Sequence, residues 1–127
     1  MNIVIIEQNK IFRESLKTAL NQVNDFKVVF DADDSRFPET ISNVQVNLLL
    51  LDYSFGKITC DKTIAAALSI WPAVRFLFLT NYKEEFAFDS MKTTGAILKN
   101  SSKKEFEDKI RVQQTNKNEF INESKIN

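Results

Sequence analysis

The chain contains no histidine. That absence excludes Ser-His-Asp and Cys-His nucleophile systems, His-ligated zinc and any imidazole acid–base step. Cys60 is its single cysteine, so an internal disulfide and a CxxC metal site are both out of reach. The two glycines, Gly56 and Gly95, cannot compose a GxGxxG fingerprint or a Walker A loop. Long hydrophobic runs are missing as well. Met1 leads straight into a short apolar run with no charged segment before it, and no apolar stretch approaches the roughly 18 residues of a membrane span. Secretion and membrane insertion are therefore not expected, and a cytoplasmic, reduced setting is. Nor is there an excess of charge of one sign: 17 basic residues balance 17 acidic ones, so no net field draws the protein to nucleic acid or to a membrane surface.

What is present is the material of one α/β domain. The 127 residues correspond to a single domain at roughly 100–200 residues per domain. Apolar residues make up 43% of the chain, enough for a core without metal or disulfide staples. Five short apolar runs recur, at Ile3–Ile6, Phe26–Phe30, Leu48–Leu51, Val74–Leu79 and Ala96–Leu98. Most are continuous and do not alternate with polar residues, as expected of parallel strands covered on both faces.

Helical spacing fills the intervals. Phe12, Leu16, Ala19, Leu20 and Val23 make one stripe, with Asn9 placed to cap it. A short, weak segment runs from about Arg36 to Asn43, with Pro38 in its first turn. A third helix is predicted over about Lys62 to Ile70, stopped by Pro72, and a fourth over about Lys83 to Lys92. A fifth opens with the capping-box pattern Ser102-Lys103-Lys104-Glu105, followed by Phe106 and Ile110. The alternation predicts a (βα)₅ doubly wound parallel sheet in the flavodoxin-like order 2-1-3-4-5. The domain is expected to occupy residues 1–112, with 113–127 a polar C-terminal tail or an extension of the last helix.

In such a sheet, ligands bind beyond the carboxyl ends of the strands, near the point where strand order reverses. Strand one ends in Glu7 and Gln8, strand three in Asp52, strand four in Thr80 and strand five in Lys99. Two carboxylates, a hydroxyl and an ammonium would converge there. A carboxylate can accept a phosphoryl group as an acyl phosphate. A second carboxylate helps hold Mg²⁺, and the ammonium and hydroxyl suit phosphoryl oxygens. Blander readings exist: Asp52 after four leucines also fits a strand-ending turn residue, and Thr80 a β-branched strand end. Cys60 reads as an inert loop or helix-start thiol and Trp71 as a helix-end packing residue. Phe86, Phe88 and Phe106 are candidates for a partner face.

The stretches Ile3-Val4-Ile5-Ile6-Glu7-Gln8, Asn47 to Asp52, Phe76-Leu77-Phe78-Leu79-Thr80 and Ile97-Leu98-Lys99-Asn100-Ser101-Ser102 stand in the order and at the strand ends that characterise one family. Through them the chain resembles the CheY-like receiver domain of two-component response regulators. The run Ile11-Phe12-Arg13-Glu14 is similar to the first helix of a subgroup that often carries helix-turn-helix outputs. The resemblance implies that Asp52 is the phosphoacceptor, charged by a sensor histidine kinase or phosphotransfer protein. It places Lys99 and Thr80 on the phosphate, and Glu7, Asp52 and the backbone carbonyl of Ser54 on a Mg²⁺ ion. Such a protein is not an enzyme acting on a separate substrate, although it can catalyse its own phosphorylation and dephosphorylation. Its expected partners are the kinase, a downstream protein target and a second copy of the chain, with no direct nucleic-acid contact.

The chain departs from that family at several places. A second acid normally follows Glu7; Gln8 stands there, so its contribution to metal binding is weak or lost. Removing that charge relieves like-charge repulsion of about 1–4 kcal/mol in the metal-free site. Asn81 replaces the usual small residue after the switch hydroxyl, the interval from Thr80 to Lys99 is about three residues short, and no aromatic precedes Lys99 in its strand. The sequence expectation is thus a stand-alone receiver with weakened Mg²⁺ binding. The alternative is a phosphorylation-independent pseudo-receiver that acts as a protein-interaction module.

Overall fold

The computed structural model describes residues 1–34, 39–81 and 93–126, with side chains up to residue 114 apart from 39, 40, 93 and 94. The strands are β1 (Asn2–Ile6), β2 (Lys27–Ala32), β3 (Leu48–Asp52), β4 (Arg75–Thr80) and β5 (Thr93–Leu98). All neighbouring pairs are parallel, in the order β2-β1-β3-β4-β5. The expected doubly wound sheet is present, and its strand order reverses at β1/β3.

The continuous apolar runs have a direct packing cause. Ile3, Ile5, Leu48, Leu50, Leu77, Leu79 and Ile97 point to one face, where they meet Leu16 and Leu20 of α1 (Lys10–Asn21) and Phe106 and Ile110 of α3 (Lys103–Ile126). Val4, Ile6, Leu49, Leu51, Phe76 and Phe78 point to the other, against Cys60, Ile64 and Ala67 of α2 (Lys57–Ile70). Every residue from Leu48 to Leu51 is fully buried. At roughly 25 cal/mol per Å², a strand with both faces covered stabilises the fold twice over per unit length, so no polar residue is tolerated until its end. That end is where Asp52 stands.

Local chemistry sets the helix boundaries. Asn9 caps α1, its side chain accepting from the Phe12 amide at 2.9 Å. Ser102 and Glu105 form the reciprocal capping box of α3: the Glu105 amide donates to Ser102 Oγ at 3.1 Å, and the Ser102 amide to Glu105 Oε1 at 3.0 Å. The α3 backbone stays helical to Ile126, so the polar stretch extends the helix. Trp71 ends α2, buried, with Nε1 donating to the Val44 carbonyl at 2.7 Å.

Several boundaries differ from the sequence reading. The helix α2 begins at Lys57, five positions before the expected Lys62, because Gly56 turns the chain at φ 92°. Glycine takes that conformation without steric cost, and it caps the helix without a side chain that a sequence reading would notice. Cys60 accordingly lies inside α2 and is buried; burial first, then Asp52 and Asp61, pushes its thiol up to about 12. The strand β2 starts after Phe26 and runs to Ala32, and the described part of the weak second segment is a 3₁₀ turn at Glu39–Asn43. Phe106 is a core residue packed against Phe12 at 6.3 Å between ring centroids, which removes it from the candidate partner face. The fourth predicted helix, Phe86 and Phe88 lie outside the described residues. Replacing the cap in Ser102→Ala is expected to lower stability by about 1 kcal/mol, read by urea unfolding followed by circular dichroism.

Candidate functional site

Parallel strands end together, so residues far apart in sequence meet at the carboxyl edge of the sheet. Glu7 immediately follows β1, and its amide is held by the Ala32 carbonyl at 2.9 Å. Asp52 is the last residue of β3 and caps the 3₁₀ turn Tyr53–Phe55, its Oδ1 accepting from the Ser54 amide at 2.9 Å. Lys99 follows β5, with its amide donating to the Thr80 carbonyl at 2.7 Å. Thr80 itself is buried at the end of β4.

These side chains form one ionic cluster. Lys99 Nζ lies 2.9 Å from Glu7 Oε1 and 3.0 Å from Asp52 Oδ1. Both carboxylate side chains are at most 1% exposed, whereas Lys99 retains 13% at the rim. Nζ also donates to Glu7 Oε2 at 3.2 Å and sits 5.8 Å from the centroid of the Phe12 ring, within cation–π range. The expected convergence of Glu7, Asp52 and Lys99 is thus the geometry found.

Backbone amides complete the cluster. Gln8 N–H donates to Asp52 Oδ2 at 3.2 Å and Asn9 N–H to Glu7 Oε2 at 2.9 Å. The Gln8 side chain turns away from the carboxylates, its Nε2 donating to Ser54 Oγ at 3.0 Å. Sequence reasoning missed Arg13, which donates to the Glu7 carbonyl at 2.8 Å and pairs with Asp31 at 3.2 Å. Lys17 joins the same Asp31 at 2.9 Å. The signal was a basic pair spaced four apart on α1, legible only once β2 is known to lie beside that helix.

With one ammonium between two carboxylates, the cluster carries one net negative charge. Burial raises the Glu7 carboxyl above its ordinary range, with the neighbouring Asp52 adding to it and the Asn9 amide and Lys99 opposing. Burial would raise Asp52 too, but its interactions with Glu7, Ser54 and Lys99 outweigh it and hold Asp52 below the usual carboxylate range. Burial pulls Lys99 down, but the two carboxylates overcome that and raise it. On acidification Glu7 is therefore the first of the two carboxylates to take up a proton, and Asp52 the one that stays ionised longer.

Among the described residues, no three Asp, Glu or Cys side chains converge as a metal site. The carboxylate oxygens of Glu7 and Asp52 are nonetheless hard donors of the kind a divalent cation takes. Glu7 Oε1 is buried and, although 2.9 Å from Nζ, accepts no well-directed hydrogen bond, so a hard carboxylate oxygen is left without a donor.

No family model matches the chain. The transcriptional regulatory protein DegU of Brevibacillus brevis is 27% identical over 97 residues, which span 76% of this chain and 41% of that protein. A CheY-like response regulator receiver domain from Methanospirillum hungatei superposes with a TM-score of 0.75 at 18% identity, over 93% of this chain and 96% of that one. The signal receiver domain of the putative response regulator NarL from Mycobacterium tuberculosis gives 0.73 at 23% identity, over 89% and 95%. The CheY6 complex with the phosphorylated P1 domain of CheA3 from R. sphaeroides gives 0.64 at 18%, over 87% and 93%. The chain has the fold of CheY-like receiver domains. No helix among the described residues is long and apolar enough to cross a membrane.

Two substitutions test the charge balance. Lys99→Met leaves two buried carboxylates unneutralised and should cost about 3 kcal/mol at pH 7. Because the Glu7 pKa is raised, the folded protein binds its proton above the unfolded value of 4.5. The penalty should therefore shrink as pH falls toward that value. By the same sign, Glu7→Gln should stabilise the protein at pH 7 by about 1 kcal/mol, and the gain should fade on acidification. Urea unfolding at pH 5 and pH 7 measures both; penalties independent of pH would exclude the assignment.

Proposed function

We propose that this chain acts in two-component signalling as a receiver that accepts a phosphoryl group on Asp52. The observation that carries this reading is the convergence of Glu7, Asp52 and Lys99 within 2.9–3.0 Å ion pairs at the carboxyl edge of the sheet. The CheY-like fold and the partial likeness to DegU support it. The donor would be a phosphohistidine on a sensor kinase or phosphotransfer protein; CheY6, which shares the fold, forms a complex with the phosphorylated P1 domain of CheA3.

In the transfer, a carboxylate oxygen of Asp52 bonds to phosphorus while the P–N bond breaks. The electron pair returns to the donor imidazole, leaving an acyl phosphate. An Asp52 pKa held below the ordinary range keeps the nucleophile ionised at neutral pH. Lys99, already between the carboxylates, offers its charge to a phosphoryl oxygen, and the Thr80 hydroxyl at the neighbouring strand end offers a hydrogen bond. Glu7, Asp52 and the Ser54 backbone carbonyl would hold Mg²⁺, with the Gln8 amide a weak substitute for a second acid. Bound there, the ion neutralises phosphoryl charge. Beyond its own phosphorylation and dephosphorylation the domain acts on no separate substrate; its output is contact with a protein target or a second copy.

A second reading has its own observation. Both Asp52 oxygens accept hydrogen bonds and the second acid is replaced by Gln8, which suits a pseudo-receiver signalling by protein contact alone. Incubation with acetyl phosphate and Mg²⁺, followed by intact mass, separates the two. The proposed function requires a gain of one phosphoryl group, abolished by Asp52→Asn; no gain at saturating metal favours the pseudo-receiver. Restoring the acid in Gln8→Asp should tighten Mg²⁺ binding about tenfold, read by calorimetry, while lowering metal-free stability by about 1 kcal/mol.

A further inference from the structure

The exposed side-chain contact between Gln8 and Ser54 joins residues 46 positions apart, on the loops that follow β1 and β3. Each of these residues also holds one oxygen of Asp52 through its main chain. Gln8 N–H donates to Oδ2 at 3.2 Å and Ser54 N–H to Oδ1 at 2.9 Å. The Gln8 amide then reaches across to Ser54 Oγ at 3.0 Å. The result is a closed ring of hydrogen bonds, Gln8–Asp52–Ser54–Gln8, with Lys99 Nζ also donating to Oδ1. Asp52 is fully buried beneath it.

We propose that the Gln8 amide and the Ser54 hydroxyl form a strap across the mouth of the site, gating access to the Asp52 carboxylate. A carboxylate attacks through a lone pair on an oxygen that the electrophile can reach along the line of displacement. Here both oxygens are engaged, and one surface hydrogen bond ties the two loops that engage them. An acid at position 8 could not donate to Ser54 as the Gln8 amide does, because an ionised carboxylate only accepts. The substitution at this position therefore does more than remove a charge: it supplies the donor that closes the ring. Opening requires that solvent-exposed bond to break and one loop to move outward, which also lengthens the main-chain bond that loop makes to Asp52. The exposed bond contributes little to stability, and its strength sets how often the acceptor is presented.

The geometry of the strap stands by itself; its consequence for phosphoryl transfer rests on the proposed function, so the test reads both. Carbodiimide coupling to a small amine, located by peptide mass, measures access to Asp52 without any phosphate. Gln8→Ala and Ser54→Ala should each speed labelling of Asp52 by about 3- to 10-fold, the worth of one net hydrogen bond. Because the two residues act through the same bond, the double variant should label no faster than the faster single one. Uptake from acetyl phosphate should accelerate by the same factor. Cys60, buried in α2, serves as the internal indicator of general loosening and should stay unreactive to a thiol reagent in every variant.

Unchanged Asp52 labelling in both single variants overturns the strap. So does a double variant whose effect is the product of the singles, or a rise in Cys60 reactivity in step with Asp52. Faster labelling with no phosphoryl uptake supports the strap and removes the phosphoacceptor reading.

Discussion

A single ammonium group placed between two buried carboxylates is the interaction on which the rest of this molecule's edge depends. Glu7 and Asp52 are delivered to one another by adjacent parallel strands, β1 and β3, whose ends the fold cannot separate. Two carboxylates fully removed from water would repel and seek protons. Lys99, arriving from the far side of the sheet, answers both at once. It does so incompletely: with both acids ionised, one negative charge is left over. The asymmetry between a Glu7 that resists ionisation and an Asp52 that favours it gives the two acids different roles although they share one cation.

That cluster is supported from outside by groups that have no chemistry of their own. Arg13 grips the Glu7 carbonyl while bound to Asp31, which itself takes Lys17, so α1 and β2 together fix where strand β1 lets go of its last acid. The capping box at Ser102 and Glu105 starts α3 just after the Lys99 turn, and Phe106, one turn in, packs on the Phe12 ring that flanks the lysine. The position of each charged group is thus the end product of apolar burial a few residues away.

Much of this was legible in the sequence, and for specific reasons. Leu48 to Leu51 read as a strand covered on both faces because burial on both faces permits no polar alternation, and Asp52 marked where that covering ends. Asn9 and the Ser102/Glu105 pair were legible because capping depends on neighbours in sequence. The start of α2 was not, since Gly56 acts through backbone freedom and offers no capping side chain. The roles of Arg13 and of the Gln8–Ser54 contact were equally hidden, because each needs a partner supplied by tertiary proximity. Strand-end placement could bring Glu7, Asp52 and Lys99 together on paper, but the number of hydrogen bonds on each Asp52 oxygen could not be read from spacing.

The tryptophan that closes α2 bears on how this protein can be observed. Trp71 is the chain's single tryptophan, sealed in the core with its indole N–H committed to the Val44 carbonyl. It precedes β4, at the edge of the sheet opposite the ionic cluster. Its emission will therefore report the integrity of the α2 face. Optical studies of this molecule can follow unfolding through that one indole, while the phenol of Tyr53 stands directly beside Asp52.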